Sequence, residues 1–315
     1  MKSKSAAILF LSILCLTGCS IGRTISILAL CPRDHGQDFA KTMRWEEGRY
    51  PGIGAWYDSL RTAGVFRDTV ITGENGARLH AVYAGREDAD GSALILHGYK
   101  VNHIMMLHLA RAYRDTLHFN VLLPDMQYHG LSGGQAASLG WYDHFDALRW
   151  TSLMHGMWDE DFIVMHGLSM GAAATMMLSG EPDLPPYIRC FVEDCGFTSV
   201  WDQFDTLRRR YPIVGKKSLQ KASDWCKMIW GWDFKEASPE KMLRNSTRPM
   251  LFIHGDRDNF IPVEFARRCY DAKTSGYKEL WIAPDTRIHA VSFLTNQEEY
   301  TRRLRNFIDR VRSGK

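Results

Sequence analysis

The sequence predicts an α/β fold: a mostly parallel sheet with helices on both faces and a short helical insertion. Three observations predict it. From residue 65 onward, apolar runs alternate with segments of helical spacing, the rhythm of a parallel sheet. Most of the runs after residue 91 are continuously apolar, as suits strands buried on both faces. The chain is 315 residues long, 45% hydrophobic and 24% charged, which is ample for one large domain.

The elements follow in order. Val65 to Thr72, a turn at Glu74-Asn75-Gly76, and Arg78 to Ala84 make a β-hairpin. Ser92 to Leu96 is a short buried strand ending in His97-Gly98-Tyr99. His103 to Leu117 reads as a helix and Asn120 to Pro124 as a strand; Trp141 to Met157 reads as a helix and Phe162 to Met165 as a strand. Met170 to Ser179 is helical and Cys190 to Glu193 is a strand. After an interruption come a strand over Met250 to Ile253, a helix over Val263 to Ala272, a strand over Lys278 to Ala283 and a closing helix over Gln297 to Val311. The interruption, about residues 199–245, carries seven aromatics among basic residues and no strand pattern, so a helical lid over the C-terminal strand ends is expected. Its aromatics would line a pocket or, for most of them, pack the lid onto the core. Residues 19–60 form a lead-in without a clear pattern, before a domain over 61–315.

The N-terminus is of another kind. Lys2 and Lys4 precede an apolar run, Ala6 to Leu16, and then Leu16-Thr17-Gly18-Cys19. A charged start, a short apolar core and small residues before a break describe an export signal over residues 1–18. The last four residues resemble the lipobox of bacterial lipoproteins, which implies a lipid on Cys19. Ser20 follows rather than Asp, so the resemblance implies an exported protein anchored to the cell envelope at the outer membrane. The alternative is an uncleaved anchor helix running through Ile21 to Leu30, but Arg23 interrupts it and the first apolar segment is too short to span. Net charge is +3 with scattered basic residues, and the densest run, Arg208-Arg209-Arg210, is too short to suggest nucleic acid. Beyond Cys15 and Cys19, five cysteines remain (Cys31, Cys190, Cys195, Cys226 and Cys269), in no metal-site spacing; buried free thiols are expected.

The most informative stretch is Phe162 to Leu178, where a buried strand runs into Gly167-Leu168-Ser169-Met170-Gly171 and then a helix. In a G-x-S-x-G turn the serine sits on a sharp corner that pushes its hydroxyl above the sheet. The glycines let strand and helix pack closely, and the helix N-terminus aims N–H groups at the same spot. Serine needs a base, and the base an orienting acid. Downstream, "LFIHGDRDNFIP" and "TRIHAVSF" each follow a strand and supply Asp258 and His289. All three residues lie at strand ends, where open parallel sheets bind ligands. Asp256 and Asp194 compete with Asp258 as the acid. Of the other histidines, His97, His166 and His254 each precede a glycine at a strand end and suit packing or hydrogen bonding. His129 could contact substrate or bond its own loop.

With "LILHGY", "PDMQYHGLSGG", "HGLSMG", "HGDRDNFIP" and "HAVSF" in this order, residues 60 to 315 resemble the α/β-hydrolases, in the esterase and serine-aminopeptidase-like branch. The resemblance implies Ser169, Asp258 and His289 as a triad, with backbone N–H groups of Tyr99 and Met170 forming an oxyanion hole, and no metal or organic cofactor. Two departures stand out: Gln127-Tyr128 precedes His129-Gly130 where the family often has Arg-Gly, and Asp285-Thr286-Arg287-Ile288 replaces a glycine-containing approach to the histidine. The expected function is serine hydrolysis of a carboxylic ester through an acyl-enzyme. A peptidase or amidase on the same triad is the alternative, and a catalytically silent binding lipoprotein is a third reading that would predict a lost triad residue.

Overall fold

The computed structural model describes residues 21–212 and 214–314. Cys19 and the export signal lie outside these residues. Eight strands form one sheet in the order β1-β2-β4-β3-β5-β6-β7-β8. They are β1 (Phe66–Thr72), β2 (Arg78–Ala84), β3 (Gly91–Leu96), β4 (Phe119–Pro124), β5 (Ile163–Leu168), β6 (Ile188–Asp194), β7 (Met250–Gly255) and β8 (Lys278–Ala283). β2 pairs antiparallel with β1 and β4, and every pair from β4 to β8 is parallel. This is the α/β-hydrolase fold, with the hairpin as its antiparallel edge.

The period of two in the strands divides the core into two layers. Leu94, Leu96, Ile163 and Met165 join one cluster with Ala147 and Trp150 of α5 (Trp141–Trp158) and with the apolar residues of α6 (Met170–Ser179). Ala93, Ile95 and Val164 point to the opposite face. There they meet Ile53 of α3 (Ile53–Thr62), Leu107 of α4 (Leu107–Arg111), and Tyr300, Leu304 and Phe307 of α12 (Gln297–Ser313). Each fully buried Val, Leu, Ile, Phe or Met side chain contributes ~1.5–3 kcal/mol by removal from water, so covering both faces is what lets continuous apolar strands form a sheet. β3, β5, β6 and β7 are all interior strands, and their C-terminal ends lie together on one crest of the sheet.

Two regions differ from the expectation, the lead-in and the stretch after β3, whereas the insertion over 199–245 is helical as expected. The lead-in is helical: α1 over 21–30, α2 (Phe39–Arg49), then α3. The stretch after β3 is not one α-helix. It is a 3₁₀ turn over His103–Met106, then α4, then a π turn over Ala112–Thr116, in which Leu117 N–H bonds both Ala112 and Tyr113 carbonyls at 3.2 Å. A tertiary demand explains the change of winding: Tyr113 is fully buried and its hydroxyl lies 3.1 Å from His166 Nδ1, under β5. The region 199–245 consists of α7 (Val200–Arg210), α8 (Lys216–Trp230), α9 (Pro239–Met242) and a closing 3₁₀ turn. Trp232 and Phe234 are buried in the core, Trp201, Phe204, Trp225 and Trp230 are half-buried, and Tyr211 is exposed. The remaining helices are α10 (Val263–Ala272) and α11 (Ser292–Thr295). Among the described residues no helix is long and apolar enough to cross a membrane. The five described cysteines are free thiols.

Candidate active site

Ser169 stands between β5 and α6 with φ 56° and ψ −108°, a conformation that costs on the order of 1–3 kcal/mol for a residue with a side chain. The two glycines flanking it are dictated by contact. A Cβ on Gly167 would lie 2.1 Å from the Gly171 carbonyl oxygen, and one on Gly171 would lie 2.3 Å from the Leu96 carbonyl oxygen. Neither position admits any other residue without moving strand from helix. The corner is further tied by Ser169 N–H donating to Asp194 O at 2.8 Å and Ala173 N–H to Ser169 O at 3.0 Å.

The structure brings Ser169, His289 and Asp258 into one line. His289 Nε2 lies 2.8 Å from Ser169 Oγ, and His289 Nδ1 lies 2.7 Å from Asp258 Oδ2. An ionised carboxylate can only accept, so it draws the ring proton to Nδ1 and leaves the Nε2 lone pair facing the serine hydroxyl. Burial pushes the Asp258 carboxyl upward, but the hydrogen bond and charge of His289, with the N–H groups of Phe260 (2.8 Å) and Ile261 (2.9 Å) on Oδ1, outweigh it and hold the group below its usual value. The Phe260 ring lies 5.2 Å from the His289 ring and covers it.

The two competing acids serve elsewhere. Asp256 Oδ1 accepts from Thr286 N–H at 2.9 Å and so shapes the loop leading to His289. In that loop Asp285 takes φ 55°, the left-handed turn for which a glycine approach is the alternative. Asp194 Oδ2 accepts from the Tyr300 hydroxyl at 3.0 Å and Asp194 Oδ1 from Ser292 Oγ at 3.2 Å. Ser292 lies three residues past His289, and Tyr300 also meets His166 Nε2 at 3.0 Å, so a buried chain of hydrogen bonds runs from Asp194 beneath the histidine loop. Nothing in the local sequence signals this network, because Asp194 and Tyr300 are 106 positions apart.

Tyr99 and Met170 flank the serine. Met170 is the first residue of α6, where backbone N–H groups have no partner within the helix. Tyr99 follows Gly98, whose backbone packs against the serine: a Cβ there would be 3.5 Å from Ser169 Cβ. His97 fastens this turn. Its Nδ1–H donates to Gly98 O at 2.6 Å while Nε2 accepts from Met126 N–H at 2.9 Å, a neutral tautomer consistent with burial pushing the ring down to about 4. His129, a candidate for substrate contact, instead donates Nδ1–H to Gln127 O at 2.9 Å in its own loop, and its buried Nε2 has no hydrogen-bond partner. Its ring packs edge-on to His97 and Tyr99.

Among the described residues, two groups of side chains hold potential metal-ligand atoms within 4.8 Å of one another: His80, His103 and Asp125, and Cys195, Asp258 and His289. In the first, Asp125 bonds His80 Nδ1 at 3.0 Å and His103 Nδ1 at 2.9 Å, so the ligand atoms already satisfy one another. In the second, both His289 nitrogens are taken up by Asp258 and Ser169, with Cys195 Sγ at 4.0 Å from Nε2.

No family model matches the chain. The uncharacterised protein YqkD of Bacillus subtilis is 29% identical over 244 residues, covering 77% of this chain and 79% of YqkD. Among solved structures, an esterase of Pyrococcus furiosus superposes with a TM-score of 0.63 at 20% identity, over 80% of this chain and 93% of its own. A membrane phospholipase A, described as a bacterial virulence factor, superposes with a TM-score of 0.57 at 15% identity over 99% of both chains. These likenesses establish the α/β-hydrolase fold.

Proposed function

We propose that this protein is a serine hydrolase that cleaves carboxylic esters through an acyl-enzyme on Ser169, held at the cell envelope by a lipid on Cys19. The chemistry rests on one observation, the hydrogen-bonded line Asp258–His289–Ser169 above a strained corner. His289 Nε2 takes the Ser169 proton as Oγ attacks the carbonyl carbon. Asp258 keeps the other ring proton on Nδ1 and balances the charge that the ring acquires. The tetrahedral oxyanion forms beside the N–H groups of Tyr99 and Met170, each such donor worth ~3 kcal/mol in the transition state. The intermediate collapses, the C–O bond to the alcohol breaks, and His289 returns its proton to that oxygen. Water then attacks the acyl carbon, giving its proton to His289, and the bond to Ser169 Oγ breaks as His289 returns that proton to the serine and the carboxylic acid is released.

The aromatic and aliphatic residues of α7 and α8 support an uncharged acyl group over a charged peptide, and the esterase and phospholipase among the structural neighbours support the same choice. The test is turnover of p-nitrophenyl esters beside aminoacyl anilides, with Ser169→Ala as control. Ester cleavage that vanishes in the variant is expected; efficient anilide cleavage with esters untouched would overturn the ester reading. For the anchor, Cys19→Ala is expected to abolish incorporation of radiolabelled palmitate, and equal labelling of both forms would refute it.

A further inference from the structure

α1 and α7 enclose an apolar groove of about 340 Å³. Its wall on α1 is Ile25 and Ala29, one helical turn apart; the opposite wall is Phe204 and Leu207 of α7 with Tyr211 just past its end; Leu219 of α8 contributes as well. The guanidinium of Arg208, the charged residue lining the groove, is turned onto Asp205 at 2.8 Å. Such a lining offers a ligand hydrocarbon contact and almost no hydrogen bonding. The volume is at the lower end of the ~300–1,000 Å³ range of small-molecule sites, which suits a single chain better than a bulky ring system.

Both walls are bonded to segments that border the active site. Tyr99, one of the oxyanion candidates, donates its hydroxyl to Ala29 O at 2.6 Å. From α7, Gln203 reaches Phe260 O at 3.5 Å and Arg210 bonds Asn259 O, in the loop whose Phe260 ring lies on His289. α1 is seated firmly enough to serve as a wall. Ser26 Oγ donates to Ala222 O of α8 at 2.8 Å, and Gly22 packs so closely that a Cβ would be 2.5 Å from Lys221 O. The stripe that carries Ile25 and Ala29 continues to Ile21, which is 44% exposed, and the neighbouring Leu28 is 72% exposed. Two residues before Ile21 stands Cys19.

We propose that this groove receives the hydrocarbon tail of the acyl group carried on Ser169, and that the tail comes from a bilayer lipid. The proposal rests on the serine-hydrolase reading and adds the substrate class: esters of fatty acids long enough to fill the groove. The N-terminal segment is then not a passive tether. The same ten residues that follow the lipid-bearing cysteine form one side of the substrate site, with Ile21 and Leu28 turned toward the membrane.

The test separates the groove from the reaction. Alkyl fluorophosphonates react when Ser169 Oγ attacks phosphorus, fluoride leaves and the proton passes to His289, so no ester turnover is required. Burial of a methylene favours binding ~4-fold, so the octyl reagent is expected to label Ser169 at least ~30-fold faster than the ethyl one. Leu207→Trp on one wall and Ile25→Trp on the other should each lower that octyl-to-ethyl ratio at least tenfold. A ratio near one in the wild type, or a ratio that neither variant changes, overturns the groove. Absence of labelling by either reagent overturns the nucleophile and the groove together, whereas normal labelling without ester turnover overturns the ester reading alone. Vesicles of phosphatidylethanolamine and phosphatidylglycerol should release fatty acid with the wild type and much less with either variant; cleavage of soluble p-nitrophenyl octanoate without any release from vesicles overturns the bilayer source.

Discussion

The ends of β6 and β7 lie side by side, with Asp194 in register with Ile253, and each presents buried carboxyl groups to the same crest. They behave in opposite ways. At the end of β6, burial pushes Glu193 up to about 8 and Asp194 up to about 6. Just beyond β7, Asp258 is held below its usual value although its side chain is also almost fully covered. Burial is common to all three; the donors differ. Asp258 receives two backbone N–H groups and an imidazole that can carry charge, Asp194 receives two neutral hydroxyls, and Glu193 receives one N–H on Oε2 and nothing on Oε1. Which of these carboxyls stays ionised is therefore decided by donors able to stabilise a charge, not by depth or by its place at a strand end.

The largest expected effect comes from removing that selection. In Asp258→Asn the amide would donate to His289 Nδ1 and force the ring proton to Nε2, where it faces Ser169 Oγ and blocks proton transfer. Turnover of an ester substrate should fall by ~10⁴ with the fold retained, the loss expected when the tautomer of such a triad is reversed. A fall of less than tenfold would mean that Asp194, not Asp258, sets the ring.

A smaller effect is expected at Asp194, which acts on His289 through Ser292 and through its charge. Asp194→Asn should lower kcat about tenfold with little change in KM, corresponding to ~1.4 kcal/mol. The loss should shrink below pH 6, where the wild-type carboxyl is itself protonated and the two proteins become alike. Ser292→Ala should reproduce part of the loss but not its pH dependence, since it removes a hydrogen bond and leaves the charge. A pH-independent deficit in Asp194→Asn would reduce Asp194 to a structural residue.

The same contrast explains what could be read in the sequence. The serine corner was legible because strand, glycines, serine and helix fall within seventeen consecutive residues, and the glycine spacing has one steric cause, the 2.1 and 2.3 Å approaches at Gly167 and Gly171. Asp258 and His289 could be nominated from their places after strands. Asp194 could be nominated by the same argument; the family resemblance points to Asp258, while the physical reason lies in the donors each carboxyl receives, with Tyr300 and Ser292 reaching Asp194 from α12 and α11. The π turn over Ala112–Thr116 was hidden for a similar reason: its apolar spacing reads as ordinary helix, and the long-range contact of Tyr113 with His166 is what changes the winding. The helices of the lead-in were missed because α2 carries many polar residues and buries little beyond Thr42 and Glu46, so no apolar stripe announces it.

The smallest effect is one of stability, at Glu193. The carboxyl is buried and hydrogen-bonded on one oxygen alone, and its value in the fold is about 8 against about 4.5 in the unfolded chain. A raised value means that the unfolded chain ionises first. Stability from this group is therefore fully present below pH 4.5 and is lost progressively as pH rises toward 8, above which both states are charged and the loss is complete. The cost of that ionisation is on the order of a few kcal/mol. Glu193→Gln removes the titration while keeping an oxygen for Gly196 N–H, so the variant should lose less unfolding temperature than the wild type between pH 5 and pH 8.5. Burial also raises Asp146, to about 7, but that group titrates in both proteins and cancels in the difference. Parallel curves of unfolding temperature against pH for the two proteins would show that Glu193 finds a charge-stabilising partner in the folded state, and the distinction drawn between the ends of β6 and β7 would then fail at Glu193 while standing at Asp194.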